Sequence, residues 1–471
     1  MISMQVIVRG DIKIQRLMVP LSVEKKAYKL SQFVIRQRTD DGLALGNTMT
    51  GEVVVLNPDE EDLISGLPAP YNNKLSEFIT KGYVVPQSLD ETKRVSQLRE
   101  IILKHYENKK IYNSYNILPT TICNARCFYC FENGFEQLNM SEDTADKLVE
   151  FISSHRGNRK IRLNWFGGEP TLGIRRIDQI CGQLQRKGIE YESHMVSNAY
   201  LFNEDLVKHA KTNWNLVGVQ VTLDGTADIY NKTKAYVYKD SNPFERVLHN
   251  IELLLDEKIV VVIRLNLGDH NEDDLDVLID ELVQRFEGRD NLTVYIRQLR
   301  ENTGFKPVLH NSEDRIRLKK RYLELTNKLE EVGWKQIWHF TLPRLRAWSC
   351  MADNPHVLQC APDGVLGKCE DYIHEHAVGS LEAGVINERE YEWLKQQEYY
   401  DECRRCLLLP SCTHLLKNCP SKQLGCPEEE KEKRLQLCHD SILDAYQQWK
   451  KNGSMWEVDH GISNTSSGKN C

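Results

Sequence analysis

Three cysteines within eight residues, Cys123-x3-Cys127-x2-Cys130, carry the densest chemistry in the chain. They follow an apolar, β-prone run, Tyr115–Ile122. Thiolates this close can wrap one small metal centre. The loop holds no fourth cysteine. A closed structural zinc site takes four ligands. Three thiolates on a cubane iron–sulfur cluster instead leave one iron open to a substrate or cofactor, so the loop points to chemistry rather than to structure. A second concentration lies downstream, where nine of the 14 cysteines fall between Cys350 and Cys438.

The elements that must position these residues are legible as a repeat. From Tyr115 to about Gly333, β-branched apolar runs alternate with amphipathic segments. The strands are expected at Asn116–Ile122, Ile161–Phe166, Tyr191–Ser197, Val217–Leu223, Val260–Leu267 and Leu292–Leu299. The helices are expected at Glu142–His155, Arg175–Lys187, Glu204–Lys211, Phe244–Glu257, Asp273–Phe286 and Ser312–Val332. Ser141 serves as an N-cap, with Glu142 and Asp143 in the first turn. Strand–helix units in series imply right-handed crossovers and a parallel sheet. Six are too few for a closed eight-fold barrel, so a partial (β/α)6 barrel of the TIM type is expected. Ligands gather at the C-terminal ends of such strands. There the sequence places the cysteine loop, Gly167-Gly168-Glu169-Pro170, Ser197-Asn198, Asp224-Gly225, and Arg264 with Asn266. Each alone suits a turn or a surface ion pair; five strand ends sharing one rim point to a site.

Residues 1–110 contain no cysteine. Strands at Leu30–Arg38 and Glu52–Leu56, turns at Gly42, Gly46 and Gly51, a helix start at Asn57-Pro-Asp-Glu, a short helix at Lys74–Thr80 and a strand at Gly82–Pro86 suggest a winged-helix-like α+β module. Asp90–Lys110 reads as a linking helix. The division is therefore 1–110, a barrel over 111–335, a cysteine-rich domain over 336–450 and a disordered Ser/Gly/Asn-rich tail over 451–471.

Composition bounds the rest. The hydrophobic fraction, 41%, is ordinary for a globular protein. A net charge of −7 and the lack of a basic run argue against nucleic-acid binding. No apolar run approaches the roughly 20 residues of a membrane span, and the start lacks a signal-peptide core. A cytoplasmic location is expected, where dense cysteines read as metal ligands rather than disulfides. Cys181, among Ile180 and Leu184, reads as a core thiol.

Cys-x3-Cys-x2-Cys after the first strand, with Tyr129 before the last cysteine and Gly-Gly-Glu-Pro after the second strand, resembles the radical S-adenosylmethionine (SAM) enzymes. The resemblance implies that Cys123, Cys127 and Cys130 hold a [4Fe–4S] cluster whose fourth iron binds SAM. Reductive cleavage of SAM then yields a 5′-deoxyadenosyl radical that removes a substrate hydrogen. By position, Gly167, Gly168, Glu169 and Pro170 match the motif at the methionyl ammonium, and Tyr129 the aromatic near the adenine. Ser197-Asn198-Ala199 is similar to the family's Thr-Asn-Gly, with alanine where glycine is usual. Arg264 matches a basic residue that pairs with the SAM carboxylate.

The downstream cysteines resemble the SPASM extension, which carries two auxiliary [4Fe–4S] clusters. That resemblance assigns Cys350, Cys360, Cys369 and Cys419 to one cluster and Cys403, Cys406, Cys412 and Cys438 to the other. Six residues rather than three precede Cys419, and Cys426 is the rival ligand. A zinc ribbon also suits Cys403-x2-Cys406. In formylglycine-generating relatives an acidic residue after the corresponding cysteine acts as a base, which makes Glu370 a candidate, with Asp371 as its rival; a solvated surface carboxylate is the plain alternative.

SPASM-bearing relatives act on peptides and proteins. More than 110 residues precede the cysteine loop, unlike in sulfatase maturases. The N-terminal module suits a leader-peptide recognition element, whose strand edge accepts the leader as an added strand. The expected function is a maturase that installs a crosslink, a thioether, in a ribosomally made precursor peptide, reduced by a flavodoxin or ferredoxin. The alternatives are a formylglycine-generating maturase and a multi-cluster electron carrier without catalysis.

Overall fold

The computed structural model of the chain describes residues 4–18, 27–107, 110–239, 242–299, 302–303, 306–307, 312–334, 342–348, 350–394, 401–412 and 428–453. They divide into two compact units. One draws on residues 1–109, 339–355 and 394–471, the other on 110–338 and 356–393. Among the described residues no helix is long and apolar enough to cross a membrane.

The first unit opens with β1 (Gln5–Val8), α1 (Ile12–Met18), β2 (Ala27–Leu30), β3 (Val34–Thr39), β4 (Gly42–Asn47), β5 (Glu52–Leu56), α2 (Pro58–Ser65), β6 (Ala69–Pro70), α3 (Ser76–Thr80), β7 (Val84–Pro86) and α4 (Glu91–Glu107). Strands β3, β4 and β5 meander antiparallel in a sheet of order β1-β5-β4-β3, and β2 lies between β6 and β7 in a second sheet. α2 starts as expected: Asn57 accepts from the Glu60 N–H, and the Glu60 carboxylate accepts from the Asn57 N–H.

Two expectations for this module are corrected. The single strand Leu30–Arg38 is two strands in different sheets. The corner between them is clamped, because the Ser31 N–H bonds to Tyr83 O at 2.8 Å and the Gln32 N–H to the Glu91 carboxylate at 3.1 Å. Gly46, read like Gly42 and Gly51 as marking a turn, lies inside strand β4. Its glycines hid an apolar core, Leu43-Ala44-Leu45, that is buried on both faces.

The second unit holds β8 (Ser114–Ile117), α5 (Glu142–His155), β9 (Ile161–Trp165), α6 (Ile174–Arg186), β10 (Tyr191–Ser197), α7 (Glu204–Asn213), β11 (Leu216–Leu223), α8 (Ala227–Lys234), α9 (Pro243–Asp256), β12 (Val260–Leu267), α10 (Asp274–Phe286), β13 (Leu292–Gln298), a small hairpin of β14 (Asn302–Thr303) and β15 (Lys306–Pro307), and α11 (Ser312–Glu331). There follow β16 (Val357–Cys360), β17 (Val365–Gly367), β18 (Gly379–Ser380), β19 (Gly384–Val385) and α12 (Asn387–Leu394). The sheet runs β13-β12-β11-β10-β9-β8-β16-β17-β18-β19. Strands β8–β13 are parallel, the six-fold partial barrel of the sequence reading. β16 adds a seventh parallel strand beside β8, and β17–β19 continue antiparallel.

Alternation along these strands separates two faces. Leu163, Trp165, Val219, Val221, Ile263 and Leu265 are fully buried, as a helix-covered face requires. The other face is polar. It carries Asn116, Asn164, His194, Gln220, Thr222, Arg264 and Asn266, with Asn164 donating to Asn116 at 3.0 Å. A barrel interior so lined suits a polar ligand better than an apolar one. The first strand is shorter than expected, ending at Ile117. Beyond it, Thr120–Ile122 bond to Leu138 O and the end of β9 rather than extending the sheet.

The first unit closes with α13 (Glu428–Asn452). Its Cys438, Ile442, Ala445 and Tyr446 pack on Ile7, Val8, Ile35, Ala44 and Val53. Leu43, Leu45, Val54 and Leu56 face the opposite way, onto Ile64, Phe78 and Ile79. The four-stranded sheet therefore has apolar cover on both faces. Gly46 explains itself here: a Cβ would lie 2.6 Å from Ile442 Cδ1.

Candidate functional site

The cysteine loop leaves the end of β8 and is strapped down by its backbone. The Arg126 N–H donates to Lys234 O at 2.7 Å, and the Val237 N–H donates to Asn124 O at 2.9 Å. Arg126 also turns its guanidinium back on Cys123 O and Ala125 O. Cys123, Cys127 and Cys130 are half-buried and unbridged. Burial pushes the Cys123 thiol up to about 12 and Cys130 up to about 11, and each thiolate would repel Cys127. Desolvated thiols that repel one another need a cation in place of their protons. Among the described residues, no three Cys, His, Asp or Glu side chains converge tightly enough to chelate one ion. A cubane asks for a wider set, one thiolate per iron.

The end of β9 lies against that loop. A Cβ on Gly167 would sit 2.5 Å from Thr120 O, and one on Gly168 would sit 2.3 Å from Ile122 O. These glycines are thus required by backbone against backbone. Gly167 also has φ +91°, a left-handed value that favours glycine. Glu169 is fully buried and binds four donors: Thr171 N–H at 3.1 Å, Thr171 Oγ1 at 2.5 Å, Ser197 Oγ at 2.8 Å and Asn198 N–H at 2.8 Å. It ties the end of β9 to the end of β10. Burial pushes its carboxyl up, and these donors pull it back. Pro170 is buried and opens the turn after it. Asn198 reaches the cysteine loop, donating to Asn124 Oδ1 at 2.7 Å. Ala199 takes φ +59°, so this alanine adopts the conformation for which glycine is favoured.

Tyr129 points into the protein. Its hydroxyl donates to Asp224 Oδ1 at 2.8 Å and lies 3.2 Å from Lys234 Nζ. Lys234 Nζ is 3.0 Å from Asp224 Oδ2, and Asn266 donates to Asp224 Oδ1 at 2.9 Å. Asp224 and Lys234 are both buried. Burial alone would lower the ammonium, but Asp224, Tyr129 and Cys127 hold it well above its ordinary range. The sequence reading missed Lys234, because it assigned no helix between β11 and α9. The available signal was a lysine-rich helix end, Lys232 and Lys234, after Thr226-Ala-Asp.

Arg264 projects from β12 onto the polar face, between Thr222 of β11 and Tyr295 of β13. Its Nε is buried with no hydrogen-bond partner among the described residues. The same holds for Asn266 Oδ1 and Asn124 Nδ2. Buried, unsatisfied donors and acceptors are costly unless a ligand completes them. Thiols, an unpaired guanidinium nitrogen and amide atoms together fit a cluster with a zwitterionic amino-acid ligand.

Glu132, two residues beyond Cys130, also escaped the sequence reading. Its Oε1 is buried without a partner. Burial first, and then repulsion from Glu370, push its carboxyl up to about 8. Glu370, in the Cys369-Glu370-Asp371 turn, is thus near enough for its charge to act on Glu132. Asp371 Oδ2 lies 3.8 Å from Cys369 Sγ, and both acidic side chains are half-buried. Phe131 stacks near Phe166 at 6.3 Å, adding an apolar wall.

The downstream cysteines fall in both units. Cys403, Cys406, Cys412 and Cys438 all belong to the first. Cys406 packs with Cys438 in one apolar cluster and with Cys403 in another, and its thiolate would feel that of Cys412. The turn is pinned by Cys406 N–H to Cys403 O at 3.1 Å and by Arg99, which donates to Cys412 O at 2.9 Å. Cys350, whose N–H bonds to Asp353 at 2.8 Å, is in the first unit; Cys360 and Cys369 are in the second. Cys360 shares the face of Tyr115 and Ile117, and burial pushes its thiol up. Cys419 and Cys426 lie outside the described residues, as does the tail beyond 453.

Residues 117–282 match the radical SAM superfamily. An S-adenosylmethionine-dependent nucleotide dehydratase of Psychrobacter lutiphocae is 27% identical over 193 residues, 37% of this chain and 62% of that protein. The chain thus spans less than two thirds of that relative's length. Native anSMEcpe with bound AdoMet and Cp18Cys peptide shares the fold over 71% of this chain and 99% of its own, with a TM-score of 0.52 and 16% identity. Streptococcus suis SuiB bound to precursor peptide SuiA does so over 82% and 94%, with a TM-score of 0.50 and 14% identity. The cysteine loop at the end of β8 and Gly167–Pro170 at the end of β9 both lie inside the matched span. Over residues 117–282, which hold the cysteine loop and the Gly167–Pro170 turn, the chain is therefore similar to the radical SAM superfamily.

Proposed function

We propose that this chain is a peptide maturase that installs an intramolecular crosslink, a thioether, in a ribosomally made precursor peptide. The carrying observation is the convergence on one rim of three desolvated thiols, the Gly167-Gly168-Glu169 turn and an unpaired Arg264 nitrogen. Peptides bound to two proteins of the same fold extend the reading from SAM chemistry to a peptide substrate.

When bound, the cluster and SAM supply hydrogen-atom abstraction. Cys123, Cys127 and Cys130 would hold the cluster. The backbone of Gly167, Gly168 and Pro170, the Ser197-Asn198 turn, Tyr129 and Arg264 would seat SAM, with Glu169 fixing the turn rather than touching ligand. Glu370, with Asp371 as the rival, would take the proton released by the peptide. A thioether forms one S–C bond from an S–H and a C–H. One hydrogen would leave as an atom to 5′-deoxyadenosine and the other as a proton, and an auxiliary cluster would supply the acceptor for the remaining electron. The two auxiliary clusters would rest on Cys350, Cys360, Cys369 and Cys419, and on Cys403, Cys406, Cys412 and Cys438. Strands β1 and β3 are the edges of the N-terminal sheet, and either could take a leader segment as an added strand. The electron donor would be a flavodoxin or ferredoxin.

The test is anaerobic reduction with SAM and a cysteine-containing precursor peptide. The expected products are 5′-deoxyadenosine and a peptide lighter by two hydrogens that no longer reacts with thiol reagents. Glu370 and Asp371 beside Cys369 favour the formylglycine reading as second, and an aldehyde at the cysteine would establish it. Clusters that assemble without any 5′-deoxyadenosine would overturn both in favour of an electron carrier.

A further inference from the structure

We infer that Asn124, the residue after the first cysteine of the loop, is a SAM-binding residue: its Nδ2 donates a hydrogen bond to an acceptor oxygen of SAM, and Asn198 orients it for that contact. The inference rests on the reading that the cysteine loop and the Ser197-Asn198 turn seat a cluster and SAM.

A chain of hydrogen bonds fixes which way the Asn124 amide faces. It starts at the backbone N–H of Tyr200, a group that can only donate, which bonds to Asn198 Oδ1 at 3.0 Å. The other end of the same carboxamide, Asn198 Nδ2, therefore faces Asn124 and donates to its Oδ1 at 2.7 Å. Asn124 Nδ2 is left as the outer end of the relay. It is buried and has no hydrogen-bond partner among the described residues. Asn124 is only 2% exposed, so bulk water does not serve it either. Cys123 Sγ lies 4.0 Å from Oδ1 and is not a partner of Nδ2. The backbone holds both amides in place. The Asn198 N–H bonds to Glu169 Oε2 at 2.8 Å, and Asn124 O accepts the Val237 N–H at 2.9 Å.

An oriented, desolvated donor with no acceptor is costly to the protein alone, by the full desolvation of an N–H group. A ligand that brings an acceptor removes that cost, and the amide is already oriented to receive it. Asn124 joins Cys123 of the loop to Asn198 of the turn, so the acceptor it meets belongs to the group seated there. SAM offers acceptor oxygens on its carboxylate and on its ribose. An ammonium or an apolar group would not satisfy Nδ2. Asn198 is a positioning residue, since protein atoms engage its carboxamide at both ends.

The test uses the full-length protein, anaerobically reconstituted and kept oxidised so that SAM binds without being cleaved. Equilibrium dialysis gives the Kd for SAM, after iron content has been matched. Asn124→Ala should weaken SAM about tenfold and Asn198→Ala about three- to fivefold. The double variant should bind no more weakly than Asn124→Ala alone, because Asn198 acts through Asn124. Should Asn124→Ala fail to load iron, Asn124→Asp takes its place in the cycle with the same expectation, since it keeps the acceptor for Asn198 Nδ2 but has no N–H. With 5′-methylthioadenosine and L-methionine as competitors, the fragment that the Asn124 variant weakens carries the acceptor, ribose in the first and carboxylate in the second. Losses that add in the double variant mean that Asn198 touches SAM itself, and they overturn the relay. A merely structural Asn124, or one served by a buried water, would leave the Kd of loaded protein unchanged, and that result overturns the inference. A wild-type protein that loads the loop cluster but binds no SAM overturns the reading beneath it instead.

Discussion

At the scale of single residues, the site depends on backbone approach more than on side-chain reach. Gly168 has no room for a Cβ, because the obstacle is the Ile122 carbonyl rather than a movable side chain. Gly168→Ala should therefore displace the cysteine loop, costing more than about 3 kcal/mol in denaturant unfolding and abolishing loop-cluster iron. Gly46→Ala should cost only about 1–2 kcal/mol, since its obstacles are the ends of the Ile442 and Leu342 side chains. Ala199 gives the opposite case. Its left-handed backbone costs an alanine roughly 1 kcal/mol, which Ala199→Gly would relieve while deleting a buried methyl group. The glycine variant should match wild-type stability within about 1 kcal/mol, and Ala199→Val should lose more than about 2 kcal/mol. Chemical denaturation of the three proteins decides this. The resemblance to the radical SAM pattern left this alanine as a departure; the fold accommodates it by paying local strain.

Between elements, two ties made by charged side chains can be read quantitatively. Glu192 of β10 accepts from Lys160 at 2.7 Å and from Arg162 at 2.7 Å and 3.0 Å. Burial pushes its carboxyl up, but the two cations win and hold it at about 2. Its folded-state value lies below the ordinary 4.5, so between those two values the unfolded chain binds more protons. The stabilisation is present above pH 4.5 and is lost as pH falls toward 2. Glu192→Gln should thus cost on the order of 2 kcal/mol at pH 7, with the gap to wild type closing across that acid window. A gap independent of pH would refute the ionic account. The second tie is Arg99 of α4, almost fully buried, which donates to Arg346 O, Leu409 O, Pro410 O and Cys412 O. Arg99→Ala removes every one of these donations, although Leu409 O and Pro410 O keep the backbone N–H groups of Cys412 and Arg346, and it leaves a void. It should cost about 3–5 kcal/mol and, if Cys403, Cys406, Cys412 and Cys438 hold the proposed cluster, lower the iron content of the chain.

At the scale of the molecule, three stretches distant in sequence build the first unit, and two build the second. α13 covers one face of the N-terminal sheet, so removing residues 428–471 should uncover Ile7, Val8, Ile35, Ala44 and Val53. Amide exchange should rise sharply in β1 and β3–β5 of that truncated chain, and much less in β8–β13, whose apolar cover lies within the second unit. Equal loss of protection in both units would show that they unfold as one. Iron counting works at the same scale: changing Cys123, Cys127 and Cys130 to Ala should remove about four iron atoms per chain and leave the rest.

The sequence by itself determined the cysteine spacings, the strand–helix alternation and the rim on which the candidate residues lie. These are local patterns, since a strand end and a helix face are written in the periodicity of a few residues. Tertiary structure alone decided what that rim is made of. It turned Glu169 into a brace between β9 and β10 and put Glu132 within reach of the charge of Glu370. It also set Lys234 against Asp224 behind Tyr129. The same holds for the corner at Ser31–Phe33 and for strand β4, whose glycines signalled turns until α13 was packed on them. Each of these depends on which segments meet across long stretches of chain, and local periodicity reports burial without naming the partner that causes it.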